Sequence, residues 1–178
     1  MINRKNQKGF SLIELLIVVA IILIIAAIAI PNLLRARMAA NESSAAGSLR
    51  SVNTANATFQ TTYGHSFSPT LVALGGPAPG AGAVAPCTAA NLIDNVLGQD
   101  PANKSGYTFA YTKGAADPGD NGANGTPVCN SVTTYGVTAI PQTVGGTGNR
   151  SFYTDQTGVI RYDPTGAAPS GASAPLGN

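Results

Sequence analysis

Few residues in this sequence could do chemistry. Eight Asp+Glu, one His and two Cys are spread over 178 residues. No serine stands in a G-x-S-x-G elbow or beside a general-base partner, which speaks against nucleophilic catalysis. No P-loop occurs, and no G-x-G-x-x-G joins a strand to a helix; Gly145-Gly146-Thr147-Gly148 reads as a loop. His65 has no cysteine or second histidine near it in sequence and reads as a surface or turn histidine. Asp117-Pro118-Gly119-Asp120-Asn121-Gly122 spaces oxygen ligands somewhat like a calcium loop. Gly119 takes a ligand position, however, and no distal Glu follows, so a solvated turn is expected. The chain is therefore expected to be no enzyme, with no cofactor, no metal and no small-molecule substrate. A net charge of +2 with only 10% charged residues gives no basic stripe for nucleic acid.

One acid is out of place. From Phe10 to Ile30 the sequence is FSLIELLIVVAIILIIAAIAI, polar only at Ser11 and Glu14. As a helix this segment reaches about 30 Å, the hydrocarbon thickness of a bilayer. A charged group inside an inserted helix costs about 2.5–3.5 kcal/mol, less near the interface. A secretory signal peptide, with Ala27-Ile28-Ala29 as its cleavage pattern, or a plain signal anchor would account for the apolar run. Neither accounts for Glu14, unless its carboxyl sits protonated or at the interface. Arg4, Lys5 and Lys8 precede the run, and Arg35 and Arg37 follow it. This places the amino terminus in the cytoplasm by a small margin.

Lys8-Gly9-Phe10-Ser11-Leu12-Ile13-Glu14 resembles the leader signal of type IV pilins and type II secretion pseudopilins. The resemblance runs from Lys8 to about Ser44, through LLIVVAII and AAIAIPNLLRARMAANESSA, and is weaker beyond. It implies that a prepilin peptidase cuts after Gly9 on the cytoplasmic side and methylates the new amine of Phe10. It implies that the apolar stretch is kept, and that Gly9, Phe10 and Glu14 serve cleavage, methylation and assembly. The implied partners are copies of the chain, other pilins, an inner-membrane assembly platform and, before assembly, the bilayer. The implied place is a single-pass inner-membrane protein with its head outside, then an extracellular or periplasmic filament. Many relatives carry a glycine where this chain has Leu23; in them the helix can unravel between that glycine and the proline matched by Pro31. A physical case stands beside the resemblance. A free amine at Phe10 is a cation at neutral pH. A buried carboxylate is less costly when paired, so a neighbour's Phe10 amine brought to Glu14 would set the stagger between subunits. Loss of Arg4, Lys5 and Lys8 leaves seven cations against eight acids, a net −1.

The head must follow from the second half of that helix. Pro31 removes one backbone donor and is expected to kink the helix without ending it. Ala45, Leu49, Val52, Phe59 and Tyr63 then recur at helical steps, with Asn56 the break, and Gly64 suits a stop. One kinked helix is expected from about Ser11 to Tyr63. Nineteen of the 21 glycines and eleven of the 12 prolines lie in residues 64–178, which read as strands and turns. Residues 64–105 look irregular, with a helical turn opened by Ser68-Pro69-Thr70 and carrying Leu71, Val72 and Leu74; 75–86 is a low-complexity loop. Strands are expected at Tyr107–Thr112, Ser131–Ile140, Ser151–Thr154 and Val159–Tyr162, the last two as a hairpin with Gly158 left-handed. They give an antiparallel sheet of about three or four strands. Residues 164–178 read as a flexible tail. Cys87 and Cys129, in an exported head with a thin core, suggest a bridge; two unpaired thiols are the alternative.

The expected fold class is α+β: a long kinked helix on a small antiparallel head. The expected segments are a leader at 1–9, a membrane and filament-core helix at 10–30, its amphipathic continuation at 31–63, a head at 64–163 and a tail at 164–178. The expected function is a structural subunit of a type IV pilus-like filament. The alternatives are a major pseudopilin driving protein export, or a secreted binding domain behind an ordinary signal peptide.

Overall fold

The computed structural model describes residues 10–76, 85–121 and 128–177. The expected leader, including Gly9, and most of the low-complexity loop lie outside the described residues. The elements are α1 (Leu12–Tyr63), α2 (Leu71–Leu74), β1 (Ala102–Lys104), β2 (Tyr107–Lys113), β3 (Tyr135–Pro141), β4 (Ser151–Asp155), β5 (Arg161–Asp163) and β6 (Ala174–Pro175). The chain divides after Arg37 into two compact units.

The first unit holds the apolar part of α1. Leu, Ile, Val and Ala fill it, and Pro31 stands inside the helix. It is long and apolar enough to cross a membrane, and its most apolar stretch buries nothing within the chain. Every large apolar side chain from Phe10 to Leu34 is exposed. An apolar surface on all sides of a helix calls for lipid or other helices around it.

In the second unit the helix from Met38 onward has one buried stripe. Ala45, Leu49, Val52, Ala55 and Phe59 are buried and share a core cluster with Leu71, Leu74, Tyr107, Phe109, Val137, Ala139 and Phe152. Asn56, the break in the apolar pattern, is fully buried in the same stripe. Its Oδ1 accepts the Ser68 N–H at 3.1 Å, so it serves the chain that leaves the helix. Gly64 stops α1 as expected: φ is +70°, and its N–H donates to Gln60 O at 3.1 Å. The expected helical turn is α2, capped by Thr70 Oγ1, which accepts the Ala73 N–H at 3.0 Å.

The sheet is an antiparallel meander in which all six strands pair in chain order. Strands β2 and β3 form its longest ladder, from Tyr107 opposite Pro141 to Lys113 opposite Tyr135. Alternation sends Tyr107, Phe109, Val137, Ala139 and Phe152 into the core. Gly158 in the β4–β5 turn has φ +73°, and its N–H reaches Asp155 O at 2.9 Å.

Three expectations are corrected. The sheet has six strands rather than three or four, because β1 forms inside the segment expected to be irregular. The segment expected to be a tail contributes β6, and Leu176 packs on the core with its N–H donating to Ile160 O at 2.7 Å. A short edge strand needs only backbone groups facing an open edge, so Gly, Ala and Pro suffice. Finally, β3 begins at Tyr135, not Ser131. Val132 is used instead for isolated bridges to Phe67 and Ala116.

One buried acid ties the helix to the chain that enters β4. Glu42 is 8% exposed. Its Oε1 accepts the N–H groups of Asn149 (2.8 Å) and Arg150 (3.2 Å), and its Oε2 accepts Arg150 Nε at 2.7 Å. The Arg150 guanidinium lies over the rings of Phe152 and Tyr162 at 5.7 and 5.8 Å. Burial pushes the Glu42 carboxyl up, but the hydrogen bonds from Asn149 and Arg150 and the Arg150 charge outweigh it and hold the carboxyl below its ordinary value. A carboxyl lowered in the folded state adds stability above its unfolded pKa and loses it as the pH falls through the folded value. The head should therefore weaken as pH drops below about 4.5, the ordinary glutamate value. Glu42→Gln should lower stability at neutral pH and flatten part of this acid dependence in urea unfolding followed across pH. In the same assay Phe59→Ala, which empties a fully buried ring site, should cost about 3–5 kcal/mol.

Candidate assembly segment and head staple

At the front of α1, Ser11 precedes the first helical residue, and Leu15 N–H donates to Ser11 O at 3.3 Å. Glu14 turns back on this end: its Oε2 accepts the Ser11 N–H at 3.1 Å. This is one half of a capping box, in which an acid three residues into the helix satisfies a backbone donor at its start. This local role differs from the one expected for Glu14 between subunits, and Ser11-Leu12-Ile13-Glu14 carries its S-x-x-E signature. The two roles are compatible. One carboxylate oxygen meets the backbone beside Phe10, and the carboxylate keeps acceptor capacity for a cation. Phe10 itself is 84% exposed, so Phe10 and the exposed Glu14 lie on open surface at one helix end. The negative group also sits at the positive end of the helix dipole, where it is favoured.

In the head, Cys87 and Cys129 are joined by a disulfide, 42 residues apart in sequence. Around Cys129 the structure corrects two expectations. His65 lies in the bend after α1 but is buried rather than on the surface: it is 7% exposed, its Nε2 lies 3.6 Å from Asp120 Oδ1, and Cys129 is close by. The Asp117–Asn121 turn does not leave its acids in water. Asp117 Oδ2 accepts the Ser66 N–H at 3.0 Å, and its Oδ1 accepts the Gly119 N–H at 2.9 Å. Asp120 accepts the N–H of Cys129 at 2.9 Å and that of Ser131 at 2.6 Å. The reason is donor accounting: these backbone groups lie outside the sheet ladders and must be satisfied by side chains. Hydrogen bonding by the Ser66 side chain, with the N–H groups of Gly119 and Ser66, keeps the Asp117 carboxyl below its ordinary value. For Asp120, burial acts upward, but the N–H groups of Cys129 and Ser131, the Ser131 side chain and the His65 charge bring the net effect below the ordinary value. Sequence spacing did not signal this cluster, because its members come from separate stretches of chain.

Residues 4–30 match the prokaryotic N-terminal methylation motif. Over 38 residues the chain is 68% identical to the type IV wide pilus major component PilA4 of Thermus thermophilus, which is 21% of this chain and 29% of that protein. Over 57 residues it is 50% identical to the type IV major pilin protein PilA of Myxococcus xanthus, covering 32% of this chain and 26% of that one. The amino-terminal segment is similar to the corresponding part of these type IV pilus proteins. The chain thus spans less than a third of the length of these pilins. No solved structure gives a significant match to it.

The pilin-type helix on an antiparallel head accords with the expected fold class, and the bridge between Cys87 and Cys129 with the expected staple. Alkylation without reductant should label neither cysteine of the exported chain, and labelling of both would refute the bridge in the cell. Cys87→Ser should lower head stability by about 2–5 kcal/mol, read as an earlier midpoint in denaturant with the Phe10–Ile30 segment unaffected.

Proposed function

We propose that this chain is a non-enzymatic, structural subunit of a type IV pilus-like filament, made as a prepilin. The observation that carries the reading is the methylation motif over residues 4–30, running into a helix with an unburied apolar surface. A prepilin peptidase cuts after Gly9, and the Phe10 amine is methylated. Before assembly the helix anchors the chain in the inner membrane, with its amino terminus in the cytoplasm and its head outside. On the assembly platform the Phe10 amine of one subunit pairs with Glu14 of a neighbour, and the apolar helices bundle while the heads form the outer surface. The local bond from Ser11 N–H to Glu14 supports this reading, because it holds the carboxylate at the helix end where a neighbour's amine would arrive. Pro31 removes one backbone donor within the apolar helix and kinks it locally.

A pseudopilus that helps to export proteins would use the same front end. Both curated relatives are named as pilus components, which favours the surface fibre. Electron microscopy of sheared cell-surface material, with mass spectrometry of its subunit, decides between the two; fibres confined to the periplasm would favour the pseudopilus.

Intact mass of the mature subunit should begin at Phe10 with one added methyl group. A start at Ile30 would mean conventional signal cleavage after Ala29 and would overturn the reading. Glu14→Leu makes the segment more apolar, so membrane insertion should hold or improve. Processing should survive, while filament yield should fall to a small fraction of normal because the incoming amine loses its partner. Glu14→Asp should be intermediate. Membrane fractionation beside sheared-filament yield reads all of these, and a normal filament yield from Glu14→Leu would refute the pairing.

A further inference from the structure

We propose that His65, Asp120, Cys87 and Cys129 form a closed site for a zinc-type divalent cation whenever the Cys87–Cys129 disulfide is reduced. One ligand atom each from His65, Asp120 and Cys129 lies within 4.8 Å of the other two. The His65 Nε2 to Asp120 Oδ1 separation of 3.6 Å is long for a hydrogen bond. It is near the ~3.4 Å edge expected between nitrogen and oxygen ligands about 2.1 Å from one tetrahedral zinc. Cys87 lies outside that group of three but is bonded to Cys129, with their Cα atoms 5.5 Å apart, so after reduction a rotation of its side chain brings in the fourth ligand. The donors are then two thiolates, one imidazole and one carboxylate. That set suits zinc, cadmium or cobalt(II) and does not suit calcium or magnesium, which take six or more oxygens.

The surroundings are those of a structural site. The side chains of His65 and Asp120 are 4% and 2% exposed, and Cys87 and Cys129 are 3% and 1% exposed. The Asp120 carboxylate is held by the N–H groups of Cys129 and Ser131. Such outer hydrogen bonds orient ligating carboxylates. In the oxidised head neither sulfur is a thiolate, so the disulfide and the metal exclude each other. Each closes the same 42-residue span. The metal would hold the head shut in a newly exported chain whose thiols have not yet been oxidised.

The test uses the full chain in detergent micelles, with the metal ions alone as probes. A trialkylphosphine reduces the disulfide: its lone pair breaks the S–S bond, water supplies the oxygen of the phosphine oxide, and two thiols result. Zinc binding then releases the two thiol protons. The reduced chain should take up one equivalent of zinc, and cobalt(II) should give thiolate charge-transfer bands with the intense visible bands of a tetrahedral site. The oxidised chain should take up none at this site. His65→Ala and Asp120→Ala should each weaken zinc binding at least tenfold. No stoichiometric zinc in the reduced chain, or unchanged affinity in both variants, would overturn the proposal. Should the variants unfold when reduced, X-ray absorption of zinc on the unaltered reduced chain decides. A shell of two sulfurs with two lighter atoms is expected, and a shell of sulfur alone or of lighter atoms alone refutes the site.

Discussion

The head rests on the contact between one stripe of α1 and one face of a sheet that cannot otherwise bury itself. Leu49, Val52 and Phe59 are fully buried there, each removing apolar surface worth about 1.5–3 kcal/mol from water. A three-residue β1 and a two-residue β6 carry little apolar surface of their own. Without the helix, the sheet would be a thin ribbon with one greasy face. The polar contacts that cross between helix and sheet gain their value from this packing. Glu42 meets Arg150, and Asn53 Oδ1 accepts from Tyr135 Oη and Thr154 Oγ1, both at 3.1 Å. They fix the rotation of the helix on the sheet, because each would leave an unpaired polar group if the stripe turned by one position.

The two units treat apolar surface in opposite ways. In the head it is covered by the chain itself. In the front part of α1 none of it is covered, and the sole acid there is bound to the helix start. A soluble monomer would not keep that surface, so the same helix carries both an intramolecular core and a demand for neighbours. This division lets the head reach its fold before or after the front part finds its surroundings.

Much of this was legible in the sequence, and the misses share a cause. The apolar run, the amphipathic stripe, the Gly64 stop, the Thr70 turn and the Gly158 hairpin all write their periodicity or turn chemistry into adjacent residues. Strand β6 and Asp120 do not. Alanine and proline at 174–175 carry no alternation, and become a strand only because β5 offers an open edge. His65 has no sequence neighbour with which it could make a site; folding brings it to Asp120 and the disulfide. Glu42 carries no local signal, since its partners are more than a hundred residues away. The capping role of Glu14 differs from these, because its S-x-x-E signature is local and present in the sequence.

The meander bears on how the head comes into being. Each strand pairs with its neighbour in the chain, so no strand has to wait for a later one to be inserted between it and its partner. A chain delivered amino end first can lay down its sheet by successive local closures, in the order in which its strands appear. Ties that run backward over long spans include Phe67 to Val132, Cys87 to Cys129, Glu42 to Arg150 and Asn53 to Thr154. These four reach earlier chain from residues 129–154, so the ladder of β1 to β3 can largely assemble before the last of them closes. The head is in effect knitted row by row and then tied off, a sequence of events suited to a domain that emerges gradually.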